Sequence, residues 1–107
     1  MATTTMVQAT WTKLRFGDWG LRIEGENVPA GTTAAVRRRD GTEQIRIVGR
    51  TVWSGDGVTV ALVENCHHCH RPQADQLRML RETVIAVCSE CLTDDPRYAA
   101  FLRPVEQ

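Results

Sequence analysis

Two Cys-x-x-Cys pairs, Cys66/Cys69 and Cys88/Cys91, hold all four cysteines of this chain, with eighteen residues between them. That spacing is characteristic of a zinc site. A Cys-x-x-Cys turn lets two thiolates converge on one ion while its backbone amides point at the sulfurs, and two such turns complete a tetrahedral shell. Four protein ligands leave no open coordination position. The expected cofactor is therefore one structural Zn²⁺, held by Cys66, Cys69, Cys88 and Cys91, that does not activate water.

A length of 107 residues suits one domain or two very small modules sharing a core, and the second is expected here. The divisions are a flexible N-terminus over 1–10, a small β-barrel over 11–65 and a metal-binding module over 66–107, the last two packed as one body. Thirteen basic residues balance thirteen acidic ones, which excludes a binder held to nucleic acid by bulk charge alone. All the basic residues except Lys13 are Arg, a bias that fits planar contacts to phosphate or a GC-rich gene alike. The polar, Thr-rich start lacks the basic and apolar regions of a signal peptide, and no apolar run reaches the ~18 residues needed to span a bilayer. The expectation is a cytoplasmic protein without membrane contact, in which paired cysteines hold metal rather than form disulfides.

From Trp11 to Glu24 the chain reads as a hairpin around a two-residue Gly17-Asp18 loop, pairing Phe16 with Trp19, Leu14 with Leu21 and Thr12 with Ile23. That register sets Trp11, Lys13, Arg15, Arg22 and Glu24 on the outward face. Gly25 to Gly31 is a loop by composition. A second hairpin follows around Asp40-Gly41, pairing Val36 with Ile45 and Ala34 with Ile47 and leaving Arg37, Arg39 and Arg46 outside. Gly49 marks a bulge. Ser54 to Gly57 is a third turn, and Val58 to Val63 closes the set. Alternation places Trp19 and Trp53 in the core. Five short strands without a helix point to an SH3-like antiparallel barrel, because closure removes exposed edges and an OB-fold needs a helix for which there is no room.

No Pro, Gly or Ser linker separates Val63 from Cys66. Between the Cys pairs, Gln76 to Leu80 and Thr83 to Val87 read as a hairpin, with a short helix over 73–82 as the alternative since Leu77, Leu80 and Val84 have helical spacing. Beyond Cys91, Asp94 or Asp95 caps a short helix opened by Pro96, with Tyr98, Phe101 and Leu102 as its apolar stripe and Pro104 as its stop. The overall expectation is a mainly β chain with one short C-terminal helix.

The run CHHCHRPQADQLRMLRETVIAVCSEC resembles a four-cysteine zinc ribbon or the related treble clef, over residues 66 to about 103. Many such ribbons carry a Gly soon after the first pair, where His70 stands here. HNH-class nucleases use treble clefs too, but their catalytic His lies on the strand between the knuckles, with an Asn or second His on the next helix. This chain has neither at those places. The N-terminal stretches WTKLRFGDWGLRIEG and RRRDGTEQIRIVGRTVWSGDG are similar in style to small barrels of actinobacterial phage proteins. That resemblance implies a phage or mobile-element origin and no defined activity.

His67, His68 and His70 are alternative metal ligands, but with four cysteines already spaced they read as surface residues of the knuckle. Trp11, Lys13, Arg15, Arg22, Arg37, Arg39 and Arg46 make either a nucleic-acid surface with one stacking platform or a solvated strand face. No paired carboxylates, Ser/His/Asp set or phosphate-cradling loop emerges. The expected role is non-enzymatic binding of nucleic acid, with engagement of a host or phage protein as the alternative.

Overall fold

The structure is a computed structural model, and it describes residues 6–105. The chain is mainly β. Its first part is a closed barrel of β1 (Val7–Lys13), β2 (Trp19–Glu24), β3 (Thr33–Arg37), β4 (Glu43–Gly55) and β5 (Val58–Val63). The second part has β6 (Gln76–Leu80), β7 (Thr83–Val87), α1 (Ser89–Asp94), α2 (Pro96–Ala100) and β8 (Leu102–Pro104), with its sheet ordered β7-β6-β8. Gln76–Leu80 is a strand, as the hairpin reading expects. β1 begins ahead of Trp11, so residues 7–10 belong to the barrel; of the rest of the expected flexible terminus, Met6 is exposed and 1–5 lies outside the described residues.

The strand order is not a consecutive meander. Going round the barrel it is β1-β2-β5-β4-β3, closed by a parallel pairing of β1 with β3. The segment after β2 decides this. The Gly25 amide donates to the Gly57 carbonyl, the Asn27 amide to Ser54 Oγ and the Val28 amide to Thr59 Oγ1, stitching the segment across the β4–β5 end. Buried Val28 plugs that end, and the chain emerges beside β1 instead of β2.

The first two barrel hairpins use three-residue loops where two-residue loops are expected, whereas β4 and β5 are joined by the two residues Asp56 and Gly57. In the second, the Arg38 amide donates to the Thr42 carbonyl, and Gly41 is the residue of the turn with positive φ, at 90°. A type I′ loop needs positive φ at both central residues, whereas a type I turn closed by a left-handed Gly needs only one. Asp40 Oδ1 accepts from the Thr42 amide and hydroxyl, which favours the longer loop and holds the Asp40 carboxyl below its usual range. The first hairpin repeats this form, with Leu14 bonded to Asp18 and Gly17 at φ 93°.

Each change shifts the register by an odd number of residues, which turns one strand over. Leu21 now faces Trp11 instead of Leu14, and Val36 faces Gln44 instead of Ile45. The barrel core is Ala9, Leu21, Ile23, Val28, Ala34, Val36, Val48, Ala61 and Val63, with Val7 and Trp11 against it. Phe16 is left exposed in its loop, and Trp19 and Trp53, assigned to the core by alternation, are 61% and 50% exposed. The expected bulge after Val48 is present, where a Cβ on Gly49 would sit 3.0 Å from the Leu62 carbonyl.

The overturned β4 sends Ile47 out of the barrel and into contact with the second part. Ile47 is 1% exposed; its amide donates to the Ala74 carbonyl, and Ala74 returns a bond to Glu64. At the C-terminus there are two short helices, not one. Asp95 caps α2 by accepting from the Tyr98 amide, as its place before Pro96 suggests. Leu102 leaves the helix and pairs with Leu80 in β8, while Phe101 is exposed, so the expected stripe is split. No helix among the described residues is long and apolar enough to cross a membrane.

Candidate functional site

The four cysteines converge. The first pair occupies the turn after Val63, and Cys88 follows β7 directly as the N-cap of α1, with Cys91 one turn on. All four sulfurs lie within 4.8 Å of one another, with Cys69 Sγ 3.8 Å from Cys88 Sγ and no disulfide. A tetrahedron with bonds of about 2.3 Å to a central ion has sulfur–sulfur edges of about 3.8 Å. The cluster fits a single metal ion.

Neighbouring groups fix the two knuckles. Cys66 Sγ accepts from the amides of His68 and Cys88, both at 3.4 Å. Burial pushes the Cys66 thiol up, but the amides of Cys69, Cys88 and His68 outweigh it and bring it down to about 6. Burial, followed by the neighbouring sulfurs, pushes Cys91 well above its ordinary value. Such crowding of thiolates calls for a cation. Gln73 Nε2 donates to Cys88 Sγ at 3.3 Å and to Glu90 Oε2 at 3.1 Å, so the amide bridges the cluster and α1. Asp75 accepts from both the amide and the hydroxyl of Ser89, each at 2.9 Å, anchoring the start of α1.

His70 follows the first Cys pair, and its φ is 62°. The turn adopts its left-handed form without glycine, with the His70 amide donating to the Cys66 carbonyl at 2.8 Å. The other two histidines pack on α2. His67 Nδ1 is 3.1 Å from the Tyr98 hydroxyl, while His68 stacks on the Tyr98 ring at 4.1 Å and pairs with Asp95 at 3.3 Å.

The expected basic face is only partly assembled. Trp11, Arg37 and Arg39 meet at one mouth of the barrel, in an open pocket of about 760 Å³ completed by Thr10, Trp19, Arg38 and Gln44. Arg22 lies beside Arg37 in a smaller groove on the outer wall. Lys13 stands opposite Trp19 at the end of β1, and Arg15 lies exposed in the Leu14–Asp18 loop; neither lines the mouth. Arg46 departs furthest from expectation. It pairs with Ala34, so it shares the inward face; its Nη1 donates to the Ile45 carbonyl, and its buried Nε has no partner among the described residues.

Thr10, Trp19, Arg38 and Gln44 are the members of the mouth that sequence reasoning missed. Alternation under the two-residue-loop register assigns Trp19 and Arg38 to the inner faces, and Gln44 carries no signal of its own. Trp11 and Trp19 also border a second depression with Leu62, Asn65 and Pro72, so the mouth continues to the edge of the metal module. Comparison of the chain with protein-family models, with characterised proteins and with solved structures finds no match.

Proposed function

We propose that this chain is a zinc-stabilised, non-catalytic module that binds nucleic acid at the barrel mouth. The observation that carries this reading is the grouping of Trp11 and Trp19 with Arg37, Arg38 and Arg39 in one open pocket. Nucleic-acid binders that tolerate many sequences combine stacking platforms with cations along the backbone path. Among the described residues no carboxylate lines the pocket, Asp18 standing in the adjoining depression, and none of the three arginines is in an ion pair. Their charge is therefore available to phosphates despite the neutral chain.

A closed thiolate shell supports a structural role for zinc, because no coordination position is left for water or substrate. The histidines support the same reading, since His67 and His68 are engaged with Tyr98 and Asp95. The zinc-bound module fixes the turn that carries Pro72 against the mouth.

Salt-titrated binding to single- and double-stranded oligonucleotides tests the proposal. Affinity falls steeply with salt, and the double variant Arg37→Ala, Arg39→Ala lowers both the affinity and the salt slope, by about two ion equivalents. Absent or salt-insensitive binding overturns it in favour of a protein partner.

A further inference from the structure

Trp11 Nε1 donates to Gln44 Oε1 at 3.2 Å. An indole N–H can only donate, so this bond fixes which end of the Gln44 amide faces Trp11 and turns the NH₂ group the other way. Among the described residues no acceptor is bonded to that NH₂. Three guanidinium groups and Thr10 complete the polar lining; the guanidiniums present only donors, and the Thr10 hydroxyl can donate or accept. The mouth thus combines two indole rings with a nearly donor-only polar set. A ligand matched to it brings an aromatic face, hydrogen-bond acceptors and negative charge.

From this we infer that the mouth holds one unstacked keto base of a single strand, stacked against Trp11 or Trp19, with a base carbonyl accepting from the Gln44 amide and the adjoining phosphates on Arg37, Arg38 and Arg39. This rests on the nucleic-acid reading and adds a base preference to it. Thymine and uracil present two carbonyl oxygens. Cytosine replaces one with an amino group, a donor that here faces the Gln44 NH₂ and three guanidiniums, with the Thr10 hydroxyl able to accept, and unpaired donors are what a hydrogen-bonding site rejects most strongly. A duplex keeps its bases stacked and paired, so it offers the mouth phosphates alone.

The test compares oligo(dT), oligo(dC) and an abasic deoxyribose-phosphate oligomer of equal length. The readout is quenching of Trp11 and Trp19 fluorescence in a Trp53→Phe background. The two pyrimidine strands stack weakly, so self-structure does not confound the comparison. The expected result is oligo(dT) binding roughly tenfold tighter than oligo(dC), in line with one matched polar contact, and the abasic chain weakest. Gln44→Glu keeps an acceptor for Trp11 but replaces the NH₂ with an anionic oxygen, and it removes the preference for oligo(dT). Equal binding of oligo(dT) and oligo(dC), or abasic binding as tight as oligo(dT), overturns the base-reading inference and leaves nucleic-acid binding standing. Failure of all three probes to bind overturns both.

Discussion

The backbone amide of Ile47, in β4 of the barrel, donates at 2.9 Å to the carbonyl of Ala74, just before β6, and both residues are buried. This bond and the Ile47 side chain tie the two parts of the chain together. Ile47 reaches that position because β4 lies one residue out of the register that its Asp-Gly turn suggests. In the expected register it packs inside the barrel instead.

Ile47→Ala should therefore act at the seam as well as on stability. Removing a nearly fully buried Ile side chain costs roughly 2–4 kcal/mol. The half-buried Ile45 should cost less when truncated the same way. Chemical denaturation of both variants checks the order; equal costs would contradict the role assigned to Ile47.

Removing the metal should unfold the second part before the barrel. Its buried apolar centre contains Cys66, Val87 and Cys88, so the ligands are themselves a large share of the core. Binding of a structural ion contributes on the order of 10 kcal/mol to folding such modules. With chelator, or in Cys88→Ser, the NMR signals of Leu77, Ile85 and Val87 should collapse while those of Leu21, Ile23 and Val48 stay dispersed. Elemental analysis should give one zinc per chain.

Acid should release the ion by protonating its ligands. Cys66 sits at about 6, below the ordinary thiol value of 9.0. A group depressed in the folded state contributes stability that is fully present above its unfolded value and lost as pH falls through its folded value. The charge of the ion lowers that value further. Cys66 should therefore hold its charge to lower pH than Cys69 and Cys91, whose values are raised, and zinc release, followed with a metal indicator, should come on acidification; release already complete above pH 7 would contradict the amide-stabilised Cys66 thiolate.

His70→Gly should stabilise the protein. The left-handed φ of 62° is strained for a side chain and free for glycine. Against this, glycine loses more backbone entropy on folding. The expected net gain is about 0.5–1 kcal/mol, measured as a higher denaturant midpoint in the zinc-loaded protein. A loss of stability would assign His70 a contact of its own.

Arg46→Met should be neutral or stabilising and should leave oligonucleotide binding unchanged. The substitution keeps an unbranched apolar stem opposite Ala34 and removes a buried, unpartnered Nε. Leaving such a donor unsatisfied costs about 1–3 kcal/mol. A thermal melt and one binding isotherm decide it; weakened binding would return Arg46 to the contact surface.

The metal site is the part most legible in the sequence. A Cys-x-x-Cys turn is local, so the two pairs carry their geometry with them, and four convergent sulfurs need only a hairpin to bring them together. The strands, the bulge at Gly49 and the Asp95 cap are readable for the same reason, since alternation, an isolated glycine and an Asp before Pro96 each act over a few residues. Which side chains face which way is a different matter. It hangs on whether Asp40 joins Gly41 at positive φ, a small local difference settled by the Thr42 bonds to the Asp40 carboxylate and by what each register buries. Residue order alone thus determined the ion-binding tetrad and the β-rich character of the chain. Tertiary structure decided that Trp11 and Gln44 meet at the barrel mouth and that Ile47 faces the metal module, because side chains alternate with period two and one residue of slip reverses an entire strand.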